Sequence, residues 1–448
     1  MTNQKQKQMH LGAFFQTFLG HHLAAWRYPE TKTEEVTSIS LYKEIAELSE
    51  KGKFDILFLA DVLAHNDEDI AYTPQIRLEA TTTMAALAAV TSKIGLVATL
   101  STTFNHPFNV ARKFSTIDHL SGGRAAWNVV TTAHDHEATN FGLDHQIDHS
   151  IRYDQGAEFV EVTKKLWDSW EDDTLVLNRE TGKFLDASKI QPINHDGRFY
   201  KVKGPINIPR PPQGHPVIVT ASASDDGREF AAKHADILFT IAPSTIAEGK
   251  LIYDEIKQKV AKYGRNPDHL NIMPGIVPFV GKTTKEAQEK FEHFQELILP
   301  ELGIGWLSRY VEHDLSQYSP DDYLPELKNV NQVNGEKGRF ELLADLAKKE
   351  NLTIGQLAKY FVQSQGHLFV VGSGEEVADQ LSEWFLNGAC DGFNVKFPYF
   401  PGGIKDFVDY VIPVLQSRGL FRTEYEGNTL RENLGLDFPK VRSKVQAQ

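Results

Sequence analysis

Polar side chains collect after one apolar run in the middle of the chain, and histidines are frequent among them. The run Ala125 to Thr131 has the composition of a buried strand, and His134 and His136 follow it. Imidazole exchanges a proton near neutral pH, so His134, together with His21 in the first polar loop, is a candidate for acid–base catalysis or hydrogen bonding to a reacting group. A His-x-His pair could instead bind a metal ion, for which Asp61 is the only clear carboxylate partner.

A second group of side chains has the chemistry of an anion site. His149 and Tyr153 stand four residues apart at the predicted start of a helix, so they share one face near its unpaired amides. Together with Arg152, these amides could hold a phosphate group. Ser222 and Ser224 come just before a later helix and could add hydroxyl groups to the same anion, although N-capping of that helix by Ser224 is an alternative role.

Other polar residues lie at or near the ends of predicted strands. Asp61 ends an apolar run, where its carboxylate needs a donor from a ligand, a neighbouring loop or water. Thr99 lies two residues inside the end of the next run and either meets a ligand or fills the protein interior. Asn128 interrupts the apolar run that ends before His134. Cys390 has no evident histidine partner and is expected to be a packed residue.

The elements that must position these residues alternate between strands and helices. Amphipathic helices follow predicted strands at 11–15, 54–60, 94–100, 125–131, 216–220, 237–240, 271–280 and 392–397. Two stretches interrupt the alternation: a β-rich one at 171–215, and an aromatic, acidic one at 300–366 in which Trp306, Tyr310 and His313 could form a lid. The pattern predicts an α/β fold, a closed (β/α)8 barrel in a single domain of residues 1–448, with an open doubly wound sheet as the alternative.

Composition and charge exclude several classes of protein. The 448 residues are 41% apolar and 24% charged, which is ordinary globular usage, and the net charge of −13 argues against a nucleic-acid partner. The longest apolar run, Met84 to Leu100, is broken by Thr91, Ser92 and Lys93, so it predicts a helix joined to a strand rather than a membrane span. One cysteine and no apolar signal segment favour a cytoplasmic protein.

Six segments resemble a known family over nearly the whole chain, and SGGRAAWNVVT is the most specific part. They are GHHLAAWRYPE (20–30), KGKFDILFLAD (51–61), STTFNHPFNVARKFSTIDHLSGGRAAWNVVT (101–131), RYDQGAEF (152–159), GREFAAKHAD (227–236) and RGLFRTEYEGNTLRENLGL (418–436). The family they resemble is the bacterial luciferase-like flavin-dependent monooxygenases, in the branch of nitrilotriacetate, long-chain alkane and dibenzothiophene sulfone monooxygenases.

The resemblance implies a two-component monooxygenase on a TIM barrel. It would bind FMN as FMNH2, supplied by a separate NAD(P)H-dependent flavin reductase, and use O2 as co-substrate to oxygenate a small organic substrate through a C4a-peroxyflavin. A homodimer or homotetramer is expected from the same resemblance. Matched position by position, the FMN-contacting residues would be Asp61, Thr99, Asn128, His149, Tyr153, Ser222 and Ser224. His149, Tyr153 and Ser224 would hold the phosphate, which agrees with the anion site inferred above.

The chain departs from the alkane-oxidising relatives at two places. Those relatives read WNVVTSH, whereas here His134 comes one position later, and Phe18 stands where they have a cysteine, although His21 matches. Long-chain alkanes are therefore not the expected substrates, and His21 and His134 are the catalytic candidates. A deazaflavin (F420)-dependent dehydrogenase on the same barrel and a metal-dependent barrel hydrolase are the alternative functions.

Overall fold

The computed structural model describes residues 7–65, 70–333 and 337–441. Within these ranges one sheet contains nine strands that all pair in parallel. They are β1 (His10–Phe15), β2 (Ile56–Leu59), β3 (Gly95–Ser101), β4 (Ala125–Val130), β5 (Val217–Ala221), β6 (Ile237–Thr240), β7 (Asn271–Gly281), β8 (Leu368–Ser373) and β9 (Gly392–Lys396).

Eight of these strands close into a ring, which confirms the predicted (β/α)8 barrel and excludes the open sheet. Strands β1 to β7 pair in chain order, β7 pairs with β9 at Gly275 and Ile276, and β9 pairs with β1. Strand β8 lies outside the ring along the carboxyl half of β7, from Ile276 to Gly281. The carboxyl ends of all the strands therefore meet at one face of the barrel, where ligand sites are found in this architecture.

The principal helices pack around the ring. They are α1 (Ile39–Lys51), α2 (Ala80–Ala88), α3 (Pro107–Ser121), α4 (His149–Trp167), α5 (Asp225–His234), α6 (Ile246–Lys262), α7 (Thr284–Glu296), α8 (Pro300–Tyr310), α9 (Lys337–Lys349), α10 (Ile354–Ser364) and α11 (Gly374–Leu386). Gly122 predicts the end of a helix, and α3 does end there, because Gly122 adopts the left-handed conformation at φ 68° that favours glycine.

Two helices differ from the sequence prediction for local reasons. The spacing of Leu41, Ile45 and Leu48 predicts one helix from Glu34 to Lys51. Helix α1 instead starts at Ile39, because the hydroxyl of Ser38 accepts a bond from the Ser40 amide as the N-cap. The sequence after the last strand predicts one helix from Ile404 to Gln416, but a π-helical turn at Phe407–Val411 divides it. Pro413 follows that turn and has no amide hydrogen to donate, so the regular hydrogen-bond pattern cannot pass through it.

The barrel interior changes from apolar to polar towards the carboxyl ends of the strands. Inward-facing residues of the lower layers form one apolar cluster with three leucines of the C-terminal segment, Leu430, Leu434 and Leu436. Gly95 gives these leucines space, since a side chain there would begin 2.5 Å from Leu430. Above this floor, buried polar side chains take over: Thr99, Asn128, Asn394 and Lys396. The barrel interior is therefore apolar in its lower part, the floor, and polar towards the carboxyl ends of the strands.

Two longer connections stand between the barrel units. Residues 171–215 contain two short antiparallel strand pairs, Leu175–Asn178 with Lys183–Leu185 and His195–Asp196 with Lys201–Val202. Helices α8, α9 and α10 belong to residues 300–366 and pack on one another through an apolar cluster that includes Leu307, Leu343 and Phe361. Among the described residues, no helix is long and apolar enough to cross a bilayer.

Candidate active site

Two adjoining cavities open at the carboxyl ends of the barrel strands. The first has a volume of about 320 Å³ and the second about 340 Å³. Val62 and His134 line both, so these two residues form the wall that the cavities share. Seven of the nine site residues predicted from the sequence line the first cavity: Asp61, Thr99, His134, His149, Tyr153, Ser222 and Ser224.

One end of the first cavity has the character of an anion site. The hydroxyls of Ser222 and Ser224 lie 3.2 Å apart at the start of α5, and Ser224 also accepts a bond from the Gly227 amide as the N-cap. Burial raises the pKa of Tyr153, while hydrogen bonding with Ser224 and Ser222 opposes that rise. The hydroxyl of Tyr153 therefore meets the two serine hydroxyls beside the free amides of a helix N-terminus, which are favourable for a phosphate. N-capping and anion binding by Ser224 are compatible roles.

Cationic side chains surround this end. The ring of His149 lies 4.8 Å from that of Tyr153, and its Nδ1 is 3.5 Å from a carboxylate oxygen of Asp226. Burial lowers the pKa of His149, and the positive charges of Lys337 and Arg152 lower it further. His149 is thus a neutral hydrogen-bonding group at neutral pH, and the positive charge that an anion would meet comes from Lys337 and Arg152.

Arg152 shows that this end is suited to an anion. Its side chain is fully buried and donates to the backbone oxygen of Thr132, but Nε and Nη2 have no hydrogen-bond partner among the described residues. Unpaired guanidinium donors are unfavourable in a protein interior. The residues present therefore fit the phosphate of FMN.

The opposite end of the first cavity is formed by the ends of β2 and β3. One carboxylate oxygen of Asp61 accepts a bond from the Val62 amide at 2.9 Å, and burial raises the pKa of this carboxyl group to about 6. The hydroxyl of Thr99 donates to the Leu59 carbonyl at 2.8 Å. A carboxyl group and a hydroxyl are available there to a polar heterocycle such as a flavin ring.

Asn128 does not line either cavity, and in this respect the structure differs from the sequence expectation. It lies opposite Thr99 on the neighbouring strand, and its Nδ2 donates to the Thr99 hydroxyl at 2.9 Å. The side chain faces the barrel interior below the cavity because it belongs to the inward-facing set of β4. Asn128 therefore orients Thr99 from below the first cavity.

The backbone beyond β4 turns sharply and brings His134 to the shared wall. Thr132 has a left-handed conformation, with φ 52°, which is uncommon for a β-branched residue and typical of strained functional sites. Its hydroxyl is held by Ser101 at 2.7 Å. His134 stacks on His136, with ring centroids 5.2 Å apart. Burial is the main cause that lowers the pKa of His136, and the charge of His134 lowers it further.

His21 lines the second cavity rather than the first. Its ring is buried, and neither ring nitrogen has a hydrogen-bond partner among the described residues. Burial holds its pKa well below the ordinary histidine value, with Lys396 and Arg339 contributing in the same direction. His21 is therefore a neutral imidazole at neutral pH, able to donate or accept one hydrogen bond within the second cavity.

Four residues of this region were missed by the sequence analysis: Lys337, Arg339, His367 and Lys396. The first two come from α9 and line the first cavity together with His367. Lys396, the last residue of β9, donates to Nε2 of His367 at 2.9 Å. The imidazole of His367 stacks on Phe239 at 5.4 Å and lies 6.2 Å from the ring of His21, so it stands between the two cavities.

The tautomer of His367 follows from its contact with Lys396. Because the ammonium group has only donors to offer, Nε2 must accept and the ring proton must lie on Nδ1. Nδ1 is buried without a partner among the described residues, and it packs on Gly275, where a side chain would begin 2.3 Å away. Gly275 therefore provides the space that the ring needs.

The aromatic residues expected in a lid are divided between two places. Trp306 and Tyr310 of α8 line the second cavity, whereas His313 is 3.3 Å from the hydroxyl of Tyr318 and lines neither cavity. Among the described residues, no group of three or more histidine, cysteine or acidic side chains is arranged to hold a metal ion.

Comparison with known proteins gives consistent matches along the chain. The family model described as luciferase-like monooxygenase matches residues 11–389. The N-acetyl-S-(2-succino)cysteine monooxygenase of Bacillus subtilis (strain 168) is 45% identical over 97% of this chain and 98% of its own. Component A of nitrilotriacetate monooxygenase from Aminobacter aminovorans is also 45% identical, over 97% of this chain and 98% of its own.

A solved structure agrees with these matches. The crystal structure of DmoA from Hyphomicrobium sulfonivorans superposes with a TM-score of 0.86 at 31% identity, covering 96% of this chain and 92% of that one. The similarity therefore extends over the barrel and both of its long connections.

Proposed function

This chain belongs to the luciferase-like monooxygenase family, and we propose that it is the oxygenating component of a two-component system that uses FMNH2 from a separate NAD(P)H-dependent flavin reductase. The observation that carries the proposal is the first cavity, which has an anion site at one end and the Asp61 carboxyl group at the other. When bound there, reduced FMN supplies the activation of O2, from which one oxygen atom enters the substrate.

The residues of the first cavity divide the task of binding between them. Ser222, Ser224 and Tyr153 donate hydrogen bonds to the phosphate in this proposal, and Lys337 balances its charge. Asp61 and Thr99 hold the polar edge of the ring system, with Thr99 oriented by Asn128. Fixing the cofactor at both ends would present one part of its ring to the wall shared with the second cavity.

His134 is the residue best situated to act between cofactor and substrate. It lines both cavities, so a substrate in the second cavity and a ring in the first would each lie beside its imidazole. We assign it hydrogen bonding or proton transfer at the reacting atoms, although its position in the sequence is shifted by one residue from that of the alkane-oxidising relatives. His21 lines the second cavity and would form a hydrogen bond with the substrate there.

Helices α8 and α9 supply the outer walls of both cavities and would exclude water. Lys337 and Arg339 line the first cavity, and Trp306 and Tyr310 line the second. Exclusion of water protects a reactive oxygen species from wasteful discharge. The packing of α8 on α10 through Leu307 and Phe361 gives this wall an apolar core of its own.

A reconstituted assay tests the proposal. The protein is combined with FMN, a flavin reductase and NADH under ¹⁸O2, and candidate substrates are screened by oxygen uptake and product mass. We expect substrate-dependent oxygen uptake with one ¹⁸O atom in the product. Tight binding of FMNH2 without labelled product from any substrate would contradict it, and anaerobic hydride transfer to a deazaflavin would favour the alternative dehydrogenase.

A further inference from the structure

The backbone that brings His134 to the shared wall is held in a strained conformation. Thr132, two residues before His134, has the left-handed φ of 52°, which is unfavourable for a β-branched residue unless its surroundings hold it there. His134 itself precedes the short helix Asp135–Ala138, and its side chain makes no capping hydrogen bond. The place of its imidazole therefore depends on what holds the backbone on either side.

Gln146 holds the backbone on both sides of His134. Its Nε2 donates to the carbonyl oxygen of Thr132 at 3.2 Å, and its backbone amide donates to Oδ1 of Asp135 at 2.8 Å. Its Oε1 accepts from the Ile147 amide at 2.9 Å. The orientation of the side-chain amide is thereby fixed, because its donor meets a carbonyl and its acceptor meets an N–H group. One residue thus brackets the stretch that contains His134.

Gln146 acts on this stretch from outside both cavities. Its side chain is buried, and it lines neither cavity. The hydrogen bond from its backbone amide is the main cause that lowers the pKa of Asp135, so this end of the bracket is a bond to a charged acceptor. A glutamine in this position can affect a reaction only through the residues that it holds.

The Thr132 carbonyl has a second donor, which connects the bracket to the phosphate end of the first cavity. Nη1 of Arg152 donates to the same oxygen, and the Thr132 hydroxyl donates to Ser101 at 2.7 Å. Because Arg152 also lines the first cavity, its replacement would disturb the proposed anion site together with Thr132. Gln146 is therefore the partner of Thr132 whose contribution can be tested apart from cofactor binding.

We propose that Gln146 is a positioning residue for the oxygenation reaction, since it keeps Thr132 in its strained conformation and so holds the His134 imidazole at the wall shared by the two cavities. This inference rests on the proposed function, because it takes His134 as the group that acts at the reacting atoms. A displacement of about 1 Å at such a group can lower a rate roughly a hundredfold. The cofactor is held by other residues, so a change of Gln146 affects the rate and leaves the affinity for FMN unchanged.

A measurement without turnover tests the position of His134. Protein labelled with ¹³C at the histidine Cε1 carbon gives one NMR signal for each imidazole, and the signal that is missing in His134→Gln belongs to His134. Gln146→Met keeps the length of the side chain and removes its donor and acceptor, so we expect the His134 signal to move or broaden while the Kd of oxidised FMN stays the same. Asp135→Ala, at the exposed end of the bracket, should also move this signal. Gln155→Met is the matched control, because Gln155 donates to Tyr200 instead, and it should leave the signal in place.

A double-mutant cycle connects this position with the reaction. With a substrate found in the ¹⁸O2 screen, Gln146→Met should lower kcat roughly tenfold or more in the native protein and less than about twofold in His134→Gln, because no imidazole is left to position there. A general structural role would lower kcat equally in both. The inference is overturned if the His134 signal stays in place in Gln146→Met and Asp135→Ala, if the two losses of kcat are equal, or if His134→Gln retains full kcat. If no substrate is oxygenated, the proposed function fails, and the catalytic part of this inference fails with it, whereas the NMR signal still shows whether Gln146 holds His134.

Discussion

Replacing Tyr153 by Phe tests the phosphate end of the first cavity most directly. The change removes one hydroxyl and keeps the ring, whose contacts with His149 at 4.8 Å and Phe230 at 6.0 Å are therefore preserved. A hydrogen bond to a charged group contributes roughly 1.5–3 kcal/mol, and one between neutral groups about 1 kcal/mol. Because the Tyr153 hydroxyl already has serine partners when no ligand is present, the smaller value applies.

The expected result is a loss of about 1 kcal/mol in FMN binding, or roughly a fivefold increase in Kd. It is measured by anaerobic titration of FMNH2 and by fluorescence quenching with oxidised FMN. Tyr200→Phe is the matched control, because its buried hydroxyl accepts from Gln155 at 2.9 Å and lines neither cavity. Unchanged affinity in Tyr153→Phe, or an equal loss in Tyr200→Phe, would refute the placement of the phosphate.

Three further predictions concern stability. Burial raises the pKa of Asp61 to about 6, so its ionised form is disfavoured in the folded state. Asp61→Asn should therefore raise the Tm of the flavin-free protein above pH 6, and the gain in Tm should shrink as the pH falls towards 4. Melting curves recorded across this pH range measure the effect. Gly275→Ala should lower the free energy of unfolding, measured by urea titration, by about 1–3 kcal/mol, because the added methyl group displaces His367. Gly305→Ala is the control: it lies in a helix with open space around it and should cause no loss. Leu434→Ala should cost about 2–5 kcal/mol, because its side chain fills the barrel floor; a loss below 0.5 kcal/mol would contradict that packing.

Local sequence patterns are sufficient for much of the barrel and for one end of the site. The alternation of apolar strands and amphipathic helices predicts the closed ring, and the spacing of His149 and Tyr153 predicts their shared helix face, which the 4.8 Å contact reproduces. The polar strand ends also predict that Asp61 and Thr99 meet at the same face. These features depend on periodicities of two and four residues, which the sequence displays directly.

The remaining residues depend on contacts between distant parts of the chain. Lys337 and Arg339 reach the first cavity only because α9 folds back over the barrel, and no local pattern records that path. Lys396 gave a usable signal, since Asn394 and Lys396 are polar at alternate positions of a buried strand and must face the interior together. The position of Asn128 below Thr99 likewise follows from strand register, which requires the neighbouring strand.

The apolar floor of the barrel comes from residues that follow the last strand in the chain, and this has a consequence for the order of folding. Leu430, Leu434 and Leu436 complete the lower core, and Arg422 and Arg431 tie the same segment to Asp55 and Asp236. A chain that extends only as far as β9 contains every barrel strand but lacks the three leucines that fill the lower core. The lower core is therefore filled only after the last strand, and a chain truncated before Leu430 would leave the apolar inner faces of the barrel uncovered at that end.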